Sequence, residues 1–150
     1  MDEFKSAVKK KNLSNQDSQA KTDLRGKRVL LAEDMAINAE IMMMVLNMCG
    51  IKADHAENGR IAVELFTSHP EGYYDAILMD MRMPEMDGLE ASRTIRAMER
   101  ADAKTVPIIA LTANAFDEDV QRSMQAGLNA HLSKPVQPEV LFDTLESLIV

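Results

Sequence analysis

The stretch YYDAILMDMRMPEMDG, residues 73–88, decides the fold. Its first half holds an apolar run, Ala76-Ile77-Leu78-Met79, that stops at one acid, Asp80. Its second half is polar, contains Pro84 and closes on Asp87-Gly88, a turn and helix-start signature. A short apolar run without alternation fits a strand covered on both faces, the environment of a parallel sheet.

Four more segments read as strands, three of them apolar runs and one, IKADHAE, alternating Ile51, Ala53 and Ala56 with polar residues. KRVLLAED (27–34) ends in Glu33-Asp34, and IKADHAE (51–57) ends beside Asn58. TVPIIALTA (105–113) ends near Thr112, and LNAHLSKP (128–135) ends at Lys134-Pro135. Helical patterns lie between them. Ile37, Ile41, Met44, Val45 and Met48 recur at helical spacing and predict the buried stripe of a first helix, stopped by Gly50. Asn58 predicts the cap of a second, with Ile61, Ala62, Leu65 and Phe66 inward and Pro70 beyond it. Asp87-Gly88 opens a third, carrying Leu89, Ile95 and Met98. Asp117 opens a fourth, with Val120 and Met124, that stops at Gly127. Pro138 suits the first turn of a fifth, with Leu141, Leu145 and Leu148. Five strand–helix pairs predict an α/β fold: a doubly wound, five-stranded parallel sheet with five helices on both faces.

Composition narrows the function. The 150 residues suffice for one ordinary domain with a short extension. Residues 1–26 hold six basic and four acidic residues, net +2, and read as a polar linker or tail. The remaining 124 hold 11 basic and 20 acidic, net −9, which brings the chain to −7. That balance argues against nucleic-acid binding through a basic surface. The single Cys49 excludes a disulfide framework and a thiolate zinc site, and a reducing cytoplasm is the expected compartment. The longest apolar run, Ile41 to Leu46, falls far short of the ~18 residues of a membrane-spanning helix. Met is plentiful at 12 and Trp absent, so the core is aliphatic and thioether-rich.

In an open doubly wound sheet, ligands bind beyond the carboxyl ends of the strands. Glu33, Asp34 and Asp80 stand at two of those ends. Converging carboxylates repel one another, and a hard divalent cation resolves the repulsion. Mg²⁺ suits an all-oxygen set with few protein ligands, and Mn²⁺ is its natural substitute. Lys134 adds a point charge and Thr112 a hydroxyl. Together these parts suit phosphoryl transfer onto Asp80 as nucleophile, a reaction governed by positioning and charge compensation.

The motifs Glu33-Asp34, LMDMRMPEMDG (78–88), ALTANA (110–115) and LSKP (132–135) resemble the receiver domain of two-component response regulators, over about residues 26–150. The resemblance implies a flavodoxin-like sheet of order 2-1-3-4-5. It matches Asp80 to the phosphoacceptor, with Asp34, Asp80 and the backbone carbonyl of Arg82 as Mg²⁺ ligands and Glu33 acting mainly through water. It matches Thr112 to the hydroxyl that moves onto the phosphoryl group and Lys134 to the lysine that pairs with it. It further implies a cis bond before Pro135, a small residue at Ala113 for donor access, and tuning of dephosphorylation by Arg82 and Asn114. The implied partner is a histidine kinase or histidine phosphotransfer protein, whose helical bundle meets the first helix of the receiver. Met42, Met43 and Met44 cannot all face inward, so one is expected on that docking surface, while Met44, Met48 and Met79 read as core.

Two residues depart from the pattern. His131 stands where many members carry a Tyr or Phe that turns inward on activation; it reads either as a switch residue or as a partly exposed strand residue. Met35 follows the acidic pair where a small polar residue is common. His55, His69 and Cys49 read as structural. The polar front segment and the wording of the motifs resemble the receivers of hybrid sensor histidine kinases, with a freestanding regulator as the alternative. A homodimer on activation and a membrane-anchored parent kinase are left open, as is the parent's own enzymatic activity. A docking module without phosphorylation is disfavoured by the complete acidic, Thr and Lys set. An aspartyl phosphatase or mutase would want a second acid where Arg82 stands. A flavin carrier would want a hydroxyl- and Gly-rich loop where Glu33-Asp34 stands.

Overall fold

The computed structural model describes residues 24–113 and 127–149. In chain order these form β1 (Arg28–Ala32), α1 (Ala36–Met48), β2 (Lys52–Ala56), α2 (Gly59–Ser68), β3 (Ala76–Asp80), α3 (Gly88–Arg96), α4 (Ala101–Thr105), β4 (Ile108–Thr112), β5 (Ala130–Ser133) and α5 (Pro138–Leu148). All strand pairs are parallel, in the order β2-β1-β3-β4-β5, as the motifs implied. The helix expected from Asp117, and Asn114 with it, lie outside the described residues.

Strand alternation divides the core into two layers. Leu30, Ala32, Ile77, Met79, Ile108 and Ala110 face α2, α3 and α4. Val29, Leu31, Leu78, Ile109 and Leu111 face α1 and α5. Every residue of β3 and β4 is buried, which accounts for their uninterrupted apolar runs. The edge strands β2 and β5 are only partly covered and correspondingly more polar. Leu24 is also buried, and the Lys27 N–H donates to its carbonyl oxygen.

The expected helix starts are largely present. Asn58 Oδ1 accepts from the Ile61 N–H at 2.8 Å, and Asp87 Oδ1 from the Glu90 N–H at 2.8 Å. Gly50 follows α1 with φ +75°. The short α4 carries no periodic signal and was not foreseen.

The inward face of α1 requires correction. Ile37, Ile41, Met44 and Met48, expected inside, are 48–64% exposed. The buried stripe is Ala39, Met42 and Leu46, with Met43, Val45 and Cys49 at its margins. Apolar residues surround this helix, so spacing alone admits two faces. Ala39 and Leu46 pack into the layer under the sheet, and Leu46 is fully buried. Met44 and Met48 are therefore surface residues; Met79 is core, as expected. No described helix is long and apolar enough to cross a membrane.

Candidate functional site

The order of the strands reverses at β1, whose neighbours are β2 and β3. The crevice beyond the carboxyl ends of β1 and β3 is thus the expected ligand position. Glu33 and Asp34 follow β1, and Asp80 ends β3. One carboxylate oxygen from each lies within 4.8 Å of the others. Three hard oxygen donors at this separation, without His or Cys in the cluster, fit a small divalent cation such as Mg²⁺.

Lys134 reaches this cluster from the end of β5. Its N–H donates to Thr112 O at 2.7 Å, fixing it beside β4, and the Lys134–Pro135 peptide is cis. Its ammonium donates to Asp80 Oδ2 at 2.8 Å and contacts Glu33 Oε2 at 3.0 Å. The other oxygens are also engaged: Asp80 Oδ1 accepts from the Arg82 N–H at 3.1 Å, and Glu33 Oε1 from the Met35 N–H at 3.2 Å. Met35 therefore supplies, through its main chain, a contact that needs no particular side chain.

One ammonium serves two carboxylates, and the titration behaviour follows. Burial pushes the Asp80 carboxyl above its ordinary range; Lys134 and the Arg82 N–H pull it back and the Glu33 charge adds to the rise, and the net shift is upward. Burial alone would lower the Lys134 ammonium, but its bonds to Asp80 and Glu33 outweigh that and raise it. Asp80 is 4% and Glu33 1% exposed, whereas Asp34 is open to solvent. Thr112 Oγ1 is buried and has no hydrogen-bond partner among the described residues.

Ala113 is exposed at the mouth of the site, and Arg82 lies on the loop after Asp80. His131 is exposed on β5. A cleft of about 360 Å³ opens beside Lys134, lined among others by Asn38, Ile41 and Pro135. An apolar groove of about 360 Å³ runs on from it along α1, past Met44 and Met48; both cavities share Ile41, Met42 and Val136.

Some contacts escaped the sequence reading. His55, read as structural, holds Glu33 O through Nε2 at 2.7 Å; a carbonyl only accepts, so Nε2 carries the proton. Register alone could have found it, since His55 pairs with Leu31 two residues before Glu33. His69 hydrogen-bonds Leu65 O and stacks on Tyr73, in keeping with a structural role. Burial, with a smaller effect from the Glu146 charge, raises the Cys49 thiol pKa, the opposite of an activated thiolate.

Comparison with known proteins agrees with this geometry. The family model of the response regulator receiver domain matches residues 29–146. Hybrid signal transduction histidine kinase K of Dictyostelium discoideum is 38% identical over 127 residues, covering 81% of this chain and 10% of that protein. Probable histidine kinase 2 of rice is 37% identical over 125 residues, covering 76% and 12%. The chain thus spans a small part of the curated relatives it matches. Among solved structures, the receiver domain of a Pseudomonas aeruginosa sensor histidine kinase, with a magnesium ion coordinated in its active-site cleft, is 40% identical. Its TM-score is 0.75, with coverage of 83% of this chain and 98% of that one. The receiver domain of a Saccharomyces cerevisiae response regulator, crystallised with a histidine phosphotransfer protein, belongs to a match with TM-score 0.74 and 28% identity, covering 85% and 92%. With the sheet order, the acidic cluster and the lysine in place, this chain belongs to the response regulator receiver domain family.

Proposed function

We propose that Asp80 accepts a phosphoryl group from a phosphohistidine in a Mg²⁺-dependent reaction. The carrying observation is the Lys134 ammonium, 2.8 Å from Asp80 Oδ2, with the buried Thr112 hydroxyl at the end of the adjacent β4 unpartnered among the described residues. Asp34, Asp80 and the Arg82 carbonyl would hold the cation, with Glu33 acting through water. When bound, the cation supplies positive charge toward the phosphoryl oxygens.

An Asp80 oxygen attacks phosphorus, an O–P bond forms and the P–N bond to the donor imidazole breaks. Lys134 shifts its ammonium toward the new phosphoryl oxygens, and the Thr112 hydroxyl gains its missing acceptor there. The Arg82 N–H keeps Asp80 oriented. Hydrolysis reverses the charge change: water attacks phosphorus, inorganic phosphate leaves and the carboxylate is restored. Ala113 leaves room for donor or water, and Arg82 and Asn114 tune the lifetime. Movement of Thr112, with His131 as the responding residue of β5, changes the outer face of the domain.

The donor is a histidine kinase or histidine phosphotransfer protein that docks on the exposed apolar face of α1. Ile41 carries that face to the lip of the cleft beside Lys134, so a protein delivering phosphate to Asp80 covers it. The parent polypeptide is read as a hybrid histidine kinase or phosphorelay component located in the cytoplasm, with the polar segment before the buried Leu24 as its linker. Ile41→Asp tests the docking face. Transfer from a phosphorylated histidine phosphotransfer protein is expected to fall at least about tenfold, the equivalent of 1.4 kcal/mol of lost contact. Labelling by acetyl phosphate and Tm stay near wild type because Ile41 is 56% exposed. Unchanged transfer would remove α1 from the interface. Size-exclusion of labelled and unlabelled protein decides whether labelling dimerises the domain.

A further inference from the structure

The loop that carries Arg82 is held from outside the acidic site. Residues 81–87 connect β3 to α3 with no helix or strand of their own. Near Asp80, the Met81 N–H donates to Leu111 O at 3.1 Å and the Gly88 N–H to Met81 O at 3.3 Å. At the far end, the first residues of α2 grip the loop. The Gly59 N–H donates to Met86 O at 2.9 Å. A Cβ on Gly59 would lie 2.3 Å from that oxygen, so a larger residue would push the loop away.

Asn58 uses both ends of its amide. Oδ1 caps α2 on the Ile61 N–H, while Nδ2 donates to Glu85 Oε2 at 3.2 Å. Arg60 Nε reaches the same oxygen at 3.0 Å. The Arg60–Glu85 pair is exposed and contributes little alone, but Asn58 is only 8% exposed. Glu85 has φ +65°, and among the described residues no other non-glycine has a positive φ. A side-chain-bearing residue persists there only where its surroundings hold it.

We infer that Asn58, Gly59 and Arg60 form a positioning clamp for the active-site loop, holding the Glu85–Met86 tip so that the Arg82 main chain faces Asp80. The inference rests on the phosphoacceptor reading only in making the Arg82 carbonyl a cation ligand. Arg82 lies between two fixed points, Met81 and the tip. Release of the tip removes the hold on the C-terminal side of Arg82 and lets its carbonyl turn from the acidic cluster. Asn58 caps and clamps with different atoms, so the two roles separate.

Asn58→Asp keeps the capping oxygen, removes the donor and sets a carboxylate against Glu85. Adding Glu85→Gln restores an N–H donor between the two positions. The full chain is followed by amide hydrogen exchange over residues 82–86 without divalent cation, by thermal unfolding, and by Mg²⁺ titration. Asn58→Asp is expected to speed exchange across the loop and weaken Mg²⁺ binding by about tenfold, as for other supports of metal ligands, with Tm little changed. The double variant restores both. Unchanged exchange in Asn58→Asp would overturn the clamp, as would losses that track global stability and resist the second substitution. Faster, reversible exchange in a protein whose wild type binds no Mg²⁺ would uphold the clamp and reject the phosphoacceptor reading.

Discussion

Lys134→Met removes an ammonium shared by two carboxylates while keeping an unbranched side chain one atom shorter. Glu33 is 1% exposed and its Oε2 lies 3.0 Å from that ammonium; Asp80 Oδ2 lies 2.8 Å away. Removing one partner of a fully buried ion pair costs about 3–5 kcal/mol, because the remaining charge is left uncompensated. The Lys134 side chain is 28% exposed, so solvent screens part of this and about 2 kcal/mol is expected. For a domain of this size that lowers Tm by about 7 °C. The loss should depend on conditions in two ways. Acid should shrink it, because the already raised Asp80 carboxyl then protonates and no longer needs a cation. Saturating Mg²⁺ should shrink it as well, because a dication replaces the missing charge, so the variant gains more stability from Mg²⁺ than wild type does. Phosphorylation itself should fail, since charge opposite the phosphoryl oxygens is missing. Differential scanning calorimetry of both proteins, with Mg²⁺ and with chelator, reads all of this except the chemistry. An equal Tm deficit with and without Mg²⁺ would refute the charge-compensation argument. So would a variant as stable as wild type in chelator.

Asp80→Asn tests the raised carboxyl directly. A folded-state pKa above the unfolded value favours folding of the protonated form, so this stability is present at low pH and lost as pH climbs through the folded-state pKa. Without metal, wild type should therefore lose stability relative to Asp80→Asn as pH rises above the ordinary value of 3.8, and stay below it at neutral pH. A parallel pH profile for the two in urea unfolding would contradict this. Thr112→Val keeps the shape and removes a buried hydroxyl that has no partner among the described residues. Such a group costs about 1–3 kcal/mol, so metal-free Tm should rise by a few degrees while phosphorylation slows; a fall in Tm would show the hydroxyl to be satisfied.

The sheet was legible because β1, β3 and β4 are short apolar runs punctuated by a polar residue, and four of the strand ends, Glu33-Asp34, Asp80, Thr112 and Lys134, supply the candidate site. The topology brings them together across 54 residues between Asp80 and Lys134. The caps at Asn58 and Asp87 were legible because capping is local. The buried face of α1 was not, since AINAEIMMMVLNM offers apolar residues on every side and only the sheet beneath selects Ala39, Met42 and Leu46. Nor was α4, whose five residues are too few for a period. The Asn58–Glu85 and His55–Glu33 contacts join residues 27 and 22 apart, and follow from the register of β1 with β2 and the packing of α2 beside the loop, not from any local pattern.

The central claim is phosphoacceptance by Asp80. Incubation with acetyl phosphate and Mg²⁺, followed by intact mass and peptide mapping beside Asp80→Asn and a chelator control, measures it. A single phosphoryl adduct on the peptide containing Asp80, absent in the variant and in chelator, is expected. An adduct retained in Asp80→Asn would contradict the claim. So would no adduct either here or with a phosphohistidine donor, while a control receiver is labelled.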